Sequence, residues 1–308
     1  MLLIEQKSLF SERNVDMDKE IIKAYAKINL HLDVIGKAEN GYHEVNTVMQ
    51  TVSLCDEIEI SLNRNGSHSI VCNSPAVPTD RRNLAWRAAD LFFESVGESC
   101  FADIKITKNI PVAAGLAGGS TDAAAVFVGL NRLCGYPLAV DELLALGAKL
   151  GADVPFCMVG GTKFADHYGE VLHEFPSMPE CFIVVACENE GVSTPWAYST
   201  LDGKYGDFAQ GKYTPRDIAP LEAALREGNV EAMCKFLYNI FEVAIEPHRP
   251  QVSRIKELMR SHGAVGAMMS GSGPSVFGVF ADEKAAVEAT ELLCAEGVDA
   301  FLATPVFE

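Results

Sequence analysis

The feature that most constrains this chain is a run of small residues, Pro111-Val-Ala-Ala-Gly-Leu-Ala-Gly-Gly-Ser-Thr-Asp122, which leads into an alanine-rich helical pattern over residues 122–134. We predict that Gly115, Gly118 and Gly119 allow a backbone with φ > 0 and a close approach to a ligand. A helix that follows such a loop points its unpaired N–H groups and its positive dipole end at the same place. The run therefore predicts a site that binds phosphate.

This loop lacks the lysine of the Walker motif and does not match the GxGxxG pattern of dinucleotide-binding folds. A glycine-rich loop in which Ser120 or Thr121 acts only as a helix N-cap is the alternative interpretation. A second run, Met269-Ser-Gly-Ser-Gly-Pro274, lies between two predicted strands and would alone fit an ordinary hairpin. Together, the two runs predict two walls of one cleft.

The composition narrows the class of ligand and partner. With 42 acidic and 25 basic side chains the net charge is −17, and no block of Lys and Arg forms a cationic surface. We therefore expect neither nucleic acid nor a membrane as a partner, because both attract clustered positive charge. An anionic small-molecule substrate would need local N–H groups to hold it.

The cysteines and the N-terminus bear on the compartment. Nine cysteines are scattered singly, without CxxC or zinc spacing, which predicts reduced, buried thiols. The segment from Met1 to Lys7 becomes charged before an apolar signal segment can form, and no window approaches ~18 apolar residues. We expect a cytoplasmic protein.

The chain order predicts an α+β fold with two domains, since 308 residues are about twice a typical domain of ~150. We interpret residues 1–20 as an extension, 21–176 as a β-rich domain that carries the phosphate loop, and 177–308 as the second domain. The boundary is expected near residues 175–180. In the first domain, the elements are predicted as strands within 21–63, a helix over 83–96, a strand over 103–107, and helices over 122–134 and 141–150.

The second domain is predicted to be ferredoxin-like, because its elements follow the order β–α–β–β–α–β with extra helices in the first crossover. The predicted elements are a strand over 181–187, helices within 194–262, a strand–turn–strand over 264–280, a helix over 283–296 and a strand over 299–304.

Several short strings together resemble the superfamily of galactokinase, homoserine kinase, mevalonate kinase and phosphomevalonate kinase, over roughly residues 21–304. The glycine-rich loop and Ser270-Gly-Ser-Gly-Pro274 are typical of the whole superfamily. The strings Ala24-Tyr-Ala-Lys-Ile-Asn-Leu30, Gly41-Tyr-His-Glu44 and Gly151-Ala-Asp-Val-Pro-Phe156 complete the resemblance. It implies a two-domain small-molecule kinase that uses ATP with Mg²⁺. The Gly-Tyr-His string implies a cytidine diphosphate-linked methylerythritol as the acceptor.

The resemblance also implies roles for individual residues. Asp153 would accept the proton of the acceptor hydroxyl, and Lys27 would hold that carboxylate ionised and offset charge on the transferring group. Asn29, Tyr42 and His43 would bind the substrate, with Tyr42 facing the base and His43 its edge. The residues expected to bind ATP are Asn83, Lys108, Pro111, Val112, Ala113, Ala114, Gly115, Leu116, Ala117, Gly118, Gly119, Ser120 and Thr121. The resemblance assigns no residue as a ligand of Mg²⁺, and Ser120 is only considered as a candidate ligand.

Two departures from the family pattern stand out. Ile240, in Asn239-Ile-Phe-Glu242, replaces a usual acidic residue, and His167 occupies a position that is usually glycine, where φ > 0 would be unfavourable. Two other functions stay open: a sister kinase that acts on mevalonate or homoserine, and a ligand sensor that has lost turnover. The retention of Lys27 and Asp153 argues against the sensor.

Overall fold

The computed structural model describes residues 19–63, 66–187, 191–206, 208 and 213–307. Within them the chain forms two sheets with helices packed on both, so the predicted two-domain α+β class is confirmed. Of the expected extension, residues 1–18 lie outside the described part of the chain. The first strand already begins at Lys19.

The first domain is built on two long antiparallel strands joined by a turn at Gly41, where φ is 86°. Its strands are β1 (Lys19–Lys37), β2 (His43–Asn63), β3 (Ser69–Cys72), β4 (Phe101–Thr107), β5 (Thr162–Asp166) and β6 (Val171–Glu174). Its helices are α1 (Leu84–Val96), α2 (Gly118–Leu133), α3 (Val140–Leu150) and α4 (Asp153–Val159). Helix α2 begins four residues before the predicted start, and α4, β3, β5 and β6 were not predicted.

The second domain contains the expected ferredoxin-like sheet, in which the described strands follow the order β11-β7-β10-β9. Its strands are β7 (Phe182–Cys187), β8 (Tyr238–Asn239), β9 (Gly266–Met269), β10 (Val276–Phe280) and β11 (Asp299–Ala303). Its helices are α5 (Thr194–Tyr205), α6 (Ala219–Arg226), α7 (Val230–Cys234), α8 (Glu242–Ile245), α9 (Pro250–Ser261) and α10 (Glu283–Ala295).

The two sheets pack face to face, and helices cover their outer faces. Strand β1 reaches three apolar cores, because its 19 residues span ~60 Å. Ile22 and Ala24 pack under the helices of the first domain, Ile28 lies between the sheets, and Val34 joins the core of the second domain. One strand thus ties both domains together.

The later part of the chain also completes the first sheet. The short strand β8 pairs with β1 in parallel, through His31 and Leu32, and Pro305 bridges to Val52 on β2. Residues 175–181 carry no helix or strand, as a connection near the expected boundary should. The division at 176 and 177 remains a prediction, and the contacts show that residues beyond it contribute to both sheets.

The two departures from the family pattern are accommodated locally. His167 does adopt a positive φ of 61°, and the turn is held because Glu170 accepts from the backbone N–H of Tyr168 at 2.9 Å and lies 2.6 Å from His167 Nδ1. The hydrogen bond to Glu170 raises the pKa of His167. Ile240 is fully buried in the core of the second domain, where an apolar side chain is stable.

The thiols are only partly as expected. In the described part of the chain none of the nine forms a disulfide, but only three of them, Cys157, Cys181 and Cys187, are buried. Cys294 is exposed and the others are half-buried, so the prediction of uniformly buried thiols is wrong. Among the described residues, no helix is both long and apolar enough to cross a bilayer.

The domains meet where Gly115 approaches the loop of residues 270–273. A Cβ on Gly115 would lie 2.4 Å from the carbonyl oxygen of Ser270, whereas a Cβ on Gly135 would meet nothing within 4 Å. The two glycines have nearly the same φ, 79° and 77°, so the backbone conformation disfavours a side chain to the same extent at both positions. They form a matched pair for testing this contact.

We expect Gly135→Ala to lower the free energy of unfolding by about 1–2 kcal/mol, the usual penalty of a left-handed backbone. Gly115→Ala should lower it clearly further, because its Cβ must push the facing backbone away. Urea denaturation of both variants measures the difference. Equal losses would show that the approach of the two loops contributes nothing to stability.

Candidate active site

The small-residue loop is shaped by positive φ angles, although not at all the predicted positions. Gly115 has a φ of 79°, but Gly118 and Gly119 form the first turn of α2, so the prediction of turn freedom at these two is wrong. Ala113 and Ala117 instead take φ values of 56° and 58°. The N-cap of α2 is Ala117, and thus the alternative of Ser120 or Thr121 as N-cap is also wrong.

A cleft opens in front of this loop, but residues 269–274, which were predicted to form its second wall, do not line it. Its walls combine the start of α2 with the segment that precedes α1. The lining residues are Ala76, Val77, Pro78, Arg82, Asn83, Leu84, Lys108, Pro111, Val112, Ala113, Gly118, Gly119 and Asp122. Of the residues expected to bind ATP, Ala114, Leu116 and Thr121 are instead buried beneath the loop.

Asn83 and Lys108 line the cleft, and both side chains already have partners within the protein. Asn83 is the N-cap of α1: its side chain accepts from the N–H of Ala85 at 2.9 Å and donates to the carbonyl of Pro78 at 2.7 Å. Lys108 Nζ lies 2.5 Å from Asp56 and 2.8 Å from Asp122. Direct contact of either side chain with ATP stays a prediction.

The Lys108 pairings set the charge of the cleft floor. Burial works against the lysine's charge, yet the two carboxylates raise the pKa of Lys108. Burial raises the pKa of Asp122 to about 7, Lys108 opposes this shift, and the charge of Asp56 adds to it. Oδ1 of Asp122 is buried without a partner in the described part of the chain. The floor of the cleft therefore contains a carboxylate oxygen whose hydrogen-bonding capacity is unused among the described residues.

The structure brings together the two residues expected to be catalytic. Lys27 Nζ lies 3.7 Å from Oδ2 of Asp153, and the lysine side chain is 6% exposed against 36% for the aspartate. Lys27 follows a bulge in β1, and its freed N–H donates to the carbonyl of Leu116 in the loop. A bulge at this place redirects the side chain. Asp153 opens α4, where the helix dipole favours a carboxylate.

Asn29 is the centre of a buried hydrogen-bond network. Its Oδ1 accepts from Lys27 Nζ at 2.8 Å and from the N–H of Gly271 at 3.0 Å. Its Nδ2 donates to the hydroxyl of Thr47 at 2.8 Å, and that hydroxyl donates to the carbonyl of His31. Asn29 thus joins the candidate catalytic lysine to the second glycine-rich loop. Its predicted contact with substrate remains a prediction.

Tyr42 and His43 differ sharply in exposure. The Tyr42 side chain is 67% exposed beside Tyr168, with ring centroids 5.6 Å apart. The His43 side chain is 9% exposed, and its ring stacks on Tyr198 at 4.6 Å. Burial and then the charge of Asp153 raise the pKa of Tyr198, which places this ring near the Lys27–Asp153 pair as well. Tyr198 therefore connects His43 to the candidate catalytic pair, whereas Tyr42 contacts Tyr168.

Comparison with known proteins identifies the family. The model of the GHMP kinases N terminal domain matches residues 83–161, and that of the GHMP kinases C terminal matches residues 221–299. A 4-diphosphocytidyl-2-C-methyl-D-erythritol kinase of Caldicellulosiruptor saccharolyticus is 45% identical over 273 residues, 89% of this chain and 92% of that protein. The chain belongs to the 4-diphosphocytidyl-2-C-methyl-D-erythritol kinase family.

Other relatives and solved structures agree with this family. A kinase of the same name from Geobacter sulfurreducens is 42% identical over 90% of this chain and 95% of its own. The crystal structure of a 4-(cytidine 5'-diphospho)-2C-methyl-D-erythritol kinase superposes with a TM-score of 0.77 at 31% identity, over 94% of this chain and all of that one. A homoserine kinase from Cytophaga hutchinsonii, at 18% identity and a TM-score of 0.73 over 97% of this chain and 98% of its own, shares the fold.

Sequence analysis of this kinase missed several residues of the site. Asp56 and Asp122 pair with a lysine that is 52 and 14 positions away. Tyr198 and Thr47 contact predicted residues across the fold, and no motif contains them. The one usable signal was the position of Asp122 at the end of the glycine-rich string, which places an acid at the start of a predicted helix.

We expect Thr47→Val to lower turnover about 10- to 100-fold, because small displacements of catalytic groups have effects of this size. Valine has the shape of threonine but accepts no hydrogen bond, so it would release the amide of Asn29 and with it Lys27. Steady-state kinetics should show a KM for ATP within a few-fold of wild type.

The matched control is Thr47→Ser, which keeps the hydroxyl and should stay within about threefold of wild-type turnover by the same reasoning. If the valine and serine variants lose turnover equally, the methyl group of Thr47 matters and its hydroxyl does not. Melting temperatures would then report the loss of packing.

Proposed function

We propose that this chain transfers the γ-phosphoryl group of ATP to the 2-hydroxyl of 4-diphosphocytidyl-2-C-methyl-D-erythritol, in the non-mevalonate route to isoprenoid precursors. The observation that carries the proposal is the Lys27–Asp153 pair, 3.7 Å apart and close to the phosphate loop. Relatives that carry this activity in their names are 41–45% identical over most of the chain, which supports the choice of substrate.

In the proposed reaction, Asp153 accepts the proton of the acceptor hydroxyl as that oxygen attacks the γ-phosphorus. Its side chain is the more exposed member of the pair, so an incoming alcohol can reach it. Buried Lys27 stabilises the carboxylate before transfer and the charge on the phosphoryl group during it. The rest of the rate enhancement comes from holding both substrates in line.

ATP would lie in the cleft of the glycine-rich loop, with its phosphates against the first turn of α2. The N–H groups there are the main source of attraction, because Lys108 is already paired with Asp56 and Asp122. The acceptor would extend from Asp153 past Tyr198 toward Tyr42 and His43. Tyr42 is exposed enough to stack on a base.

Mg²⁺ fits the cleft through Asp122, whose Oδ1 is buried there without a partner among the described residues. Mg²⁺ is commonly held by one or two carboxylates together with substrate phosphates. Among the described residues, no group of three or more Asp, Glu, His or Cys side chains is arranged to hold a metal ion. Asp122 would therefore act with the phosphates, with Ser120 as a further candidate. When bound, the ion neutralises charge on the phosphate oxygens.

The cytoplasm is the compartment we propose for this reaction. The nine cysteines form no disulfide among the described residues, and this, together with a need for ATP, supports it. Mevalonate or homoserine as acceptor is less favoured, because the matched mevalonate and homoserine kinases are below 20% identical to this chain. Offering each alcohol in the same ATP-coupled assay separates these functions.

We expect Asp153→Asn to lower turnover by about 10² or more, since a general base contributes about 10²–10⁴. Folding and ATP affinity should be kept, because the amide has the same shape and lies outside the ATP cleft. Coupled kinetics with the cytidyl acceptor, and calorimetry with ATP, measure the two effects.

An exposed acid away from the site, Asp299 on β11, provides the matched control, and Asp299→Asn should turn over normally. Both variants should be assayed over a range of Mg²⁺ concentrations. Recovery of Asp153→Asn at high Mg²⁺ would assign the carboxylate to the metal, and near-normal turnover at every concentration would remove it from the reaction.

A further inference from the structure

Asp202, on helix α5, reaches across the domains to the candidate base site. One carboxylate oxygen lies 2.6 Å from Nε2 of His43, and the other accepts from Nζ of Lys37 at 2.9 Å. Burial alone would raise the pKa of Asp202, but these two hydrogen bonds lower it below its ordinary value. An ionised carboxylate only accepts hydrogen bonds, so Nε2 of His43 must carry a proton.

The imidazole ring of His43 is also fixed in orientation. Tyr198 stacks on its face, with planes 25° apart, and the ring of Phe208 meets it nearly at right angles, 5.9 Å away. In the described part of the chain the ring forms its hydrogen bond at Nε2. A ligand would therefore meet the ring at Nδ1.

The position of the proton decides what Nδ1 can recognise. A neutral imidazole with its proton on Nε2 has a lone pair on Nδ1 and accepts a hydrogen bond there. The exocyclic amino group of cytosine donates, whereas the carbonyl at the same position of uracil only accepts. A site that leaves such a group unpaired discriminates strongly between two otherwise similar ligands.

We propose that Asp202, held in place by Lys37, is a positioning residue that keeps the proton of His43 on Nε2 and so makes Nδ1 an acceptor for the amino group of an aminopyrimidine. The selection of cytidine over uridine then depends on a residue that does not touch the base. This inference rests on the proposed function, because it takes the base of the acceptor as the group beside His43.

Asp202→Asn tests the inference, because it reverses the hydrogen bond without changing the shape. Lys37 would donate to the amide oxygen, so the amide N–H₂ would face Nε2 and move the ring proton to Nδ1. We expect the preference for the cytidyl over the uridyl acceptor, as a ratio of kcat/KM, to fall at least tenfold. The KM for ATP should stay within twofold.

Asp299→Asn is the matched control: it makes the same substitution at an exposed position on β11, away from the site, and should retain the cytidyl preference. Nitrogen-15 spectra of histidine-labelled protein give a second readout, with His43 assigned by its loss in His43→Gln. We expect the proton on Nε2 in the wild type and on Nδ1 in Asp202→Asn.

Wild-type preference in Asp202→Asn would overturn the inference. So would a proton on Nδ1 of the wild-type His43, a measurement that requires no variant to fold. A wild-type enzyme that fails to phosphorylate the cytidyl acceptor would instead contradict the proposed function. A lost preference together with a reversed proton supports the positioning role, since a purely structural role would not change the ring's tautomer.

Discussion

The contact of Gly115 with the loop around Gly271 determines how the two domains meet, and the site depends on it. No Cβ fits on either glycine, because each would lie within 3 Å of a carbonyl oxygen on the facing loop. Asn29 connects this contact to the candidate catalytic lysine, because its side-chain oxygen accepts hydrogen bonds both from the N–H of Gly271 and from Nζ of Lys27. The position of the candidate catalytic lysine therefore depends on how the two domains pack together. A change in that packing would move the lysine, and a change at the lysine would disturb the packing.

The charges of the site show how a protein of net charge −17 can accept anionic substrates. Four of its cations each have a carboxylate within 4 Å: Lys27 has Asp153, Lys37 has Asp202, Arg82 has Asp80, and Lys108 has Asp56 and Asp122. Such pairing fixes side chains but leaves little free positive charge. In the proposed reaction, phosphate binding would then depend on backbone N–H groups and on the Mg²⁺ that accompanies ATP, both of which act at short range.

Local patterns predicted most of the fold and the residues that lie within motifs. The glycine-rich loop and the ferredoxin-like strand order follow from strings of adjacent residues, whose chemistry can be interpreted without a structure. The Lys27–Asp153 pair was expected only because those strings resemble a kinase superfamily. Pairings such as Asp202 with His43, 159 positions apart, depend on how the domains pack. The two-residue strand β8 was missed for the same reason, because pairing with β1 and not its own sequence makes it a strand.

The conformation of the glycine-rich loop was not predicted, and the structure shows why. A positive φ at Ala113 and Ala117 is costly for each residue, about 1–2 kcal/mol, so sequence rules assign such angles to glycine. Here the burial of Ala114 and Leu116 in the core between the two sheets, together with the bond from Lys27 N–H to Leu116, holds the backbone in that shape. Burial of these apolar side chains thus offsets the cost of the positive φ angles. A loop anchored in this way has its N–H groups already arranged, so binding of ATP at the proposed site would require little further ordering of the backbone.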